Sequence, residues 1–153
     1  MTKIILKLRG KCLLALSFFS IVCLFSCSKN IQLFLQSFTN SNEGQSVVVR
    51  IYLLKSEINF QRMTFDSFWK GNNQVLAGDM VGEEIEIILH PEEKINLDKI
   101  KILKDAKFLA VAGNFYQPDI NQWKYLFDLS QMKGDHLTIG VGKNKLIITN
   151  PKD

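Results

Sequence analysis

The two histidines of this chain, His90 and His136, are considered first because imidazole can bind metal ions and transfer protons. Neither lies at the ligand spacing of a zinc site, whether from the other histidine or from a cysteine. His90 precedes Pro91 at the end of an expected strand, and His136 begins another. We therefore expect both to be turn or surface residues, and we expect no metal ion or other bound cofactor.

The patterns of nucleophilic and phosphate-binding sites are also missing. There is no Gly-x-Ser-x-Gly, and Gly140-Val141-Gly142 lacks the following helix that a phosphate loop needs. Some glutamates could be interpreted as carboxylate pairs for glycoside hydrolysis, but exposed charged faces explain them better. They are Glu83, Glu84, Glu86, Glu92 and Glu93. We assign no catalytic residue, expect no small-molecule substrate, and predict that the protein is not an enzyme.

Cysteine is the remaining reactive residue type, and its placement is informative. Residues 1–11 carry four basic residues and no acid, and residues 12–25 form an apolar stretch too short to span a bilayer comfortably. This composition is typical of an export signal. The tetrapeptide Leu24-Phe25-Ser26-Cys27 that follows resembles the lipobox of bacterial lipoproteins, in which the cysteine thiol is acylated and the signal is cut before it.

An acylated Cys27 would divide the chain into three parts. Residues 1–26 would be a signal peptide that is removed, residues 27–30 a lipidated tether, and residues 31–153 a folded domain. The extended tether reaches only about 10 to 15 Å, which keeps the domain close to the lipid. Since Ser28 is not the Asp that favours retention in the inner membrane, we expect an anchor in the outer membrane and a domain that faces the periplasm.

The remaining composition fits a single domain outside the cytoplasm. Four of the 19 Lys and Arg residues lie in the leader, so 15 remain against 15 Asp and Glu, and no excess positive charge is left for nucleic acid. Cys12 and Cys23 also lie in the leader, so an intramolecular disulfide is impossible after its removal. The leader leaves 127 of 153 residues, enough for one core and too few for two.

Alternating apolar residues predict short strands along the whole domain. Residues 47–54 carry apolar side chains on both faces, so this strand is expected to be central. Ile85, Ile87 and Leu89 alternate with Glu84 and Glu86, so the strand that they form is expected to face solvent. Similar runs cover 31–35, 95–97, 100–102, 108–115, 125–129, 137–141 and 146–148. Only residues 58–70 show helical spacing, with Thr64 as the candidate N-cap. About eight strands with one short inserted helix predict an all-β fold, an antiparallel β-sandwich.

Several segments are similar to one known family. Val47-Val48-Val49-Arg50-Ile51-Tyr52-Leu53-Leu54-Lys55 resembles the Val-Arg-x-Tyr-x-Leu strand of TssJ, the outer-membrane lipoprotein family of type VI secretion systems. Further similar segments are Phe65-Asp66, Phe68-Trp69, Leu76-Ala77-Gly78-Asp79, Val111-Ala112-Gly113-Asn114-Phe115 and Trp123-Lys124. The departures are Glu92 where the family usually has Gly, Tyr116 where Arg commonly follows Phe, and a first loop without the Asn-Pro-Asp element.

The resemblance implies a transthyretin-like β-sandwich that attaches the periplasmic domain of the inner-membrane subunit TssM to the outer membrane. It also implies that the loop between the first two strands makes the contact. By this analogy the contact loop consists of Thr39, Asn40, Ser41, Asn42, Glu43, Gly44, Gln45 and Ser46. The polar composition of this loop fits a simple solvated connection equally well.

An alternative function is that of a surface or periplasmic lipoprotein that binds carbohydrate or protein through its β-sandwich. It would need Trp69 and Trp123 to form an exposed aromatic platform. Trp69 falls on the apolar side of the expected helix, and Trp123 begins a strand beside Tyr125 and Phe127. We expect core positions for both indoles, and exposure on one flat face would instead favour the alternative.

Overall fold

The computed structural model describes residues 29–71 and 74–149. The predicted signal peptide, the lipobox and Cys27 lie outside these ranges. The strands are β1 (Asn30–Ser37), β2 (Val47–Leu54), β3 (Ile85–Leu89), β4 (Lys94–Lys101), β5 (Phe108–Asn114), β6 (Lys124–Asp128), β7 (His136–Val141) and β8 (Leu146–Thr149). The helices are α1 (Ile58–Arg62), α2 (Phe65–Trp69) and α3 (Gln74–Ala77). None of these helices is long and apolar enough to cross a membrane.

The strands form two four-stranded sheets, and the predicted β-sandwich is confirmed. The first sheet has the order β4-β1-β7-β8 and the second has the order β3-β2-β5-β6. β2 is central in its sheet, as its two apolar faces predict. One pair differs from the expected antiparallel arrangement, because β1 and β7 run parallel, with Leu33 beside Leu137. Alternation shows which face of a strand is buried but not the direction in which its neighbour runs.

The sequence predicts two separate runs in the region where the structure has the single strand β4. The pairing with β1 shifts between Ile31 and Leu33, and Lys99 has a positive φ of 62° at the irregularity. An extra residue in a strand reverses its alternation. Leu97 and Ile100 therefore both contribute to the core although three positions separate them.

The space between the sheets holds the main core. Alternate residues of the strands point inward and are almost fully buried, as expected for two packed sheets. These residues are Ile31, Leu33, Leu35, Val47, Val49, Ile51, Leu89, Leu109, Val111, Leu137, Ile139, Val141 and Leu146.

The predicted helical region contains two short helices rather than one. Met63 is extended, with φ −67° and ψ 132°, and ends α1. Thr64 then caps α2: its hydroxyl accepts a hydrogen bond from Ser67 N, and its own N–H donates to Ser67 Oγ at 2.9 Å. This reciprocal capping box confirms Thr64 as an N-cap and explains why a new helix begins there.

The helices cover the outer face of the second sheet. Phe68 of α2 packs edge-on against Tyr52, with ring centroids 6.0 Å apart, and its centroid is 5.5 Å from that of Trp123. The Arg50 guanidinium lies 4.9 Å from the centre of the Trp69 ring. The Arg and Tyr of the Val-Arg-x-Tyr segment therefore hold the helical layer in place. Burial raises the pKa of Tyr52 above its ordinary value, so its phenol remains neutral.

Lys124 fastens the end of α1 to the sheet. Its Nζ donates hydrogen bonds to the carbonyl oxygens of Phe60, Gln61 and Met63 at 2.7, 2.8 and 2.6 Å. Phe60 and Gln61 lie in the last turn of α1 and Met63 directly follows it. At a helix C-terminus carbonyl groups lack their full set of partners and a cation is favourable. Burial lowers the pKa of Lys124, whereas the three acceptors favour its charged form.

Replacing this lysine tests its role in holding the helices. We expect Lys124→Met to lower the free energy of unfolding by about 2 kcal/mol, because the carbonyls lose a charged donor. Lys124→Arg keeps the charge and should lower the free energy of unfolding by less than half as much. Urea unfolding of the chain from Ser28 onward, followed by tryptophan fluorescence, measures both. Equal stability of the Met variant and the parent would contradict this role.

Candidate functional site

Strand β1 connects the two ends of the molecule that the sequence singles out. At its start, Lys29 O accepts a hydrogen bond from Ile102 N at 2.8 Å, two residues from Cys27. At its end, Ser37 leads into the predicted contact loop of residues 39–46. Eight residues of strand span about 26 Å. The loop therefore lies at the end of the sandwich opposite to the predicted tether.

The predicted contact loop is folded onto the domain and is not a simple solvated connection. Ser41–Gly44 form a 3-10 turn in which Ser41 and Asn42 are 1% and 6% exposed. The Ser41 hydroxyl donates to the carbonyl oxygen of Val141 and accepts from Phe38 N, the latter at 2.7 Å. The other residues of the loop, from Thr39 to Ser46, are exposed.

Asn42 is the residue that ties this loop to its neighbours. Its Nδ2 donates to Ser46 O at 2.9 Å, and its Oδ1 accepts from Tyr116 N at 2.6 Å. Its backbone N–H donates to Gly142 O at 3.3 Å, and its carbonyl accepts from Gln45 N at 3.1 Å. Since the side chain is almost fully buried, each of these bonds would be costly to lose.

Three consecutive residues of the loop adopt left-handed backbone conformations. The φ angles of Asn42, Glu43 and Gly44 are 45°, 58° and 82°. Asn and Gly accept this region readily, whereas Glu does so at a cost. The turn therefore has a defined shape that the Asn42 hydrogen bonds maintain.

Three further loops meet this one at the same end of the sandwich. Ser46 Oγ lies 2.8 Å from His90 Nδ1, and Thr39 Oγ1 donates to Glu92 Oε1 at 2.7 Å. Asp119 N donates to Asn144 O at 2.8 Å, which links the loop after β5 to the β7–β8 hairpin. We call residues 38–46, 90–93, 115–122 and 142–145 together the four-loop surface.

The four-loop surface carries exposed apolar side chains that were not predicted from the sequence. Phe38, Tyr116 and Ile120 are 42%, 75% and 84% exposed. The one indication in the sequence was Tyr116, which occupies a position where the resembled family commonly has Arg. Among the charged groups of this surface, Lys143 lies 3.7 Å from Glu43, and the Glu93 carboxylate accepts from His90 N at 2.7 Å.

The residues considered for metal binding and catalysis do not come together. His90 lies at the four-loop surface, whereas His136 begins β7 at the opposite end and contacts Asp135 at 3.2 Å. Glu86 forms an ion pair with Arg50 at 2.7 Å. Within residues 29–71 and 74–149, no three His, Cys, Asp or Glu side chains are grouped in a way that could hold a metal ion.

The two indoles do not form an exposed platform. Trp123 is 2% exposed, and Trp69 is partly buried beneath Arg50. The core positions expected for them are therefore found, and the aromatic platform on which the carbohydrate-binding alternative depends is missing from the described residues.

A cleft of about 480 Å³ lies elsewhere, between β4 and the strands β2 and β3. Ile51, Leu97 and Ile100 contribute apolar walls, while Asp98 and Lys99 bring charges of opposite sign to it. These side chains do not bring a set of reactive groups together at one point of the cleft.

Comparison with known proteins decides the family. A family profile described as "Type VI secretion lipoprotein, VasD, EvfM, TssJ" matches residues 37–144, more than half of the chain. The chain belongs to this family. The resemblance read from the Val-Arg-x-Tyr segment is thereby confirmed, and the profile covers the four-loop surface except for Lys145. The comparison with curated proteins gives no match.

Solved structures agree with this assignment. A chain described as "Type VI membrane complex" is 29% identical, with a TM-score of 0.72, over 79% of this chain and 98% of that one. A chain of a structure described as the T6SS protein TssM C-terminal domain from EAEC is also 29% identical, with a TM-score of 0.68, over 78% and 99%. The lipoprotein TssJ1 from Pseudomonas aeruginosa shares the fold at 20% identity, with a TM-score of 0.71, over 82% and 98%.

The turn between β3 and β4 yields a prediction for the four-loop surface. Glu93 N donates to His90 O at 3.2 Å, with Pro91 and Glu92 between them, and Glu92 has a φ of 62°. A positive φ at the third position of such a turn favours glycine. We expect Glu92→Gly to raise the free energy of unfolding by about 0.5 to 1 kcal/mol, because the exposed bond to Thr39 offsets little of the backbone strain.

Glu92→Ala is the matched control, since it removes the carboxylate without relieving the backbone. It should be no more stable than the parent. Thermal unfolding followed by circular dichroism compares the three proteins. A Gly variant less stable than the Ala variant would contradict the role of the backbone at this position.

Proposed function

We propose that this chain is a lipid-anchored structural component of the type VI secretion membrane complex and has no enzymatic activity. In this role it attaches the periplasmic domain of the inner-membrane subunit TssM to the outer membrane. The observation that carries the proposal is the course of β1, which runs from Lys29, beside the predicted lipid anchor, to the four-loop surface at the other end. A domain held by lipid at one end can present the opposite end to a partner.

The four-loop surface has the properties of a partner site. It is fixed by hydrogen bonds between loops that are far apart in sequence, and it carries exposed apolar side chains. A surface that is already ordered loses little conformational freedom on binding. The similar chains in structures described as a type VI membrane complex and as a TssM C-terminal domain support TssM as the partner.

The anchor rests on the sequence and on the family. The lipobox residues Leu24, Phe25 and Ser26 precede Cys27, and family membership is that of a lipoprotein. We propose that residues 1–26 are removed, that residues 27–30 form the lipidated tether, and that the domain over residues 31–153 faces the periplasm. Several acyl chains on Cys27 would suffice for stable attachment.

Removing the thiol tests the anchor. Cys27→Ser should leave the sandwich folded, because Cys27 precedes the first core residue, Ile31. The variant should leave the membrane fraction and lose secretion activity, because acylation supplies the attachment. Membrane fractionation and mass spectrometry of the N-terminus, with circular dichroism as the folding control, measure these outcomes. A variant without acyl chains that still supports secretion would overturn the role of the anchor.

Binding of the partner is tested separately from anchoring. The soluble domain from Ser28 onward should bind a periplasmic TssM fragment from the same organism in a pull-down. Alanine at the exposed loop positions Asn40, Glu43 and Gln45 should weaken this binding at least about tenfold.

Alanine at three exposed positions of the opposite end, Lys104, Asp105 and Lys133, is the matched control and should have no effect. If the unaltered domain does not bind the fragment, the partner is wrong. If the two triple variants bind equally, the loop of residues 39–46 is not the contact.

A further inference from the structure

Tyr116 combines strong exposure with a fixed backbone. Its side chain is 75% exposed, the largest aromatic exposure among the described residues. Its N–H donates to the buried Oδ1 of Asn42 at 2.6 Å, across a sequence separation of 74 residues. Loops are generally more mobile than the elements they connect, and this bond fixes the backbone from which the exposed ring projects.

The rest of the loop after β5 is held on both sides of Tyr116. Phe115, which precedes it, is 2% exposed and lies against Gly113. Further along the loop, Asp119 N donates to Asn144 O, and Gln122 O accepts from Leu146 N, both at 2.8 Å. The position from which the Tyr116 ring projects is therefore set by the core, by Asn42 and by the β7–β8 hairpin.

The apolar groups of the surface offer more binding energy than its exposed charges. Glu43 lies near Lys143, while Glu92 and Glu93 accept hydrogen bonds from Thr39 and from the His90 backbone. Exposed charges that remain hydrated gain little from pairing. Binding energy at protein interfaces is concentrated in a few residues, among which tyrosine is enriched.

We propose that Tyr116 is the aromatic anchor of the four-loop surface and that Asn42 is its positioning residue. This inference rests on the proposed function, since its occupant is the same periplasmic partner. The partner must present an apolar pocket for the ring, with a hydrogen-bond acceptor or water at the phenol. Ile120, in the same loop and 84% exposed, extends the apolar contact beside it. The contact surface thus reaches beyond residues 39–46 to a second loop.

The first experiment measures affinity for the periplasmic TssM fragment by biolayer interferometry. The protein is purified in detergent from its native membrane. Tyr116→Ala should weaken binding about 10- to 100-fold, and Tyr116→Phe should lose much less. Tyr125→Ala, at a 40% exposed tyrosine on β6, is the control and should bind as the parent does.

The outcomes separate this inference from the proposed function. If the parent protein does not bind, the partner assignment has failed. If the parent binds and Tyr116→Ala binds equally well, only the role of Tyr116 as the aromatic anchor is wrong. A loss shared by the Tyr116 and Tyr125 variants would also overturn that role.

The second experiment tests the positioning role of Asn42 in the free protein by hydrogen exchange. Asn42→Gly accepts the left-handed backbone but removes the amide, so the Tyr116 N–H should exchange at least about tenfold faster. Asn42→Asp retains an acceptor oxygen and should keep that N–H protected. Glu43→Gly, which alters the neighbouring left-handed residue without touching Tyr116, is the control. Unchanged exchange at Tyr116 in the Gly variant would overturn the positioning role.

Discussion

The architecture depends on the need to bury β2 on both faces. Val47, Val49 and Ile51 point into the space between the sheets, while Tyr52 on the other face is 1% exposed. A strand with this pattern cannot leave one side to water, so a second layer must cover it. The short helices provide that layer, and the contacts of Phe68 with Tyr52 and of Lys124 with α1 hold them there. The residues that characterise the family in this strand are therefore structural.

Because this burial occupies the strands and helices, the loops at the two ends of the sandwich are available for function. The core lies between the sheets and beneath the helices, so loops at the ends can vary without loss of the core. At one end, the hydrogen bonds of Asn42 and Ser41 give the loops a single defined shape. The other end holds Lys29 and, beyond it, the segment that leads to Cys27. The predicted anchor and the proposed partner surface are thus separated along one strand.

Much of the fold could be predicted from the sequence because it rests on local alternation. The pattern of residues 47–54 indicated a central strand, which is found. The parallel pairing of β1 with β7 could not be predicted, because side-chain alternation is the same in both directions. The irregularity at Lys99 was missed because the extra residue made one strand look like two.

The candidate site was less predictable because it depends on contacts between distant segments. The polar loop after β1 was identified only through the family resemblance, and nothing local shows that Asn42 is buried. Its bond to Tyr116 joins residues that only the folded topology brings together. Asn-Glu-Gly in this loop is compatible with a left-handed turn, which is the one local signal that the sequence offered.

The placement of β1 has a mechanical consequence. Force between the predicted anchor at Cys27 and a partner at the far loops would run along this strand, which is paired on one side with β4 and on the other with β7. Its hydrogen bonds run across that load and would have to break together in shear, not one after another as in the peeling of an edge strand. A load on the two ends of β1 would thus be shared with both of its neighbours.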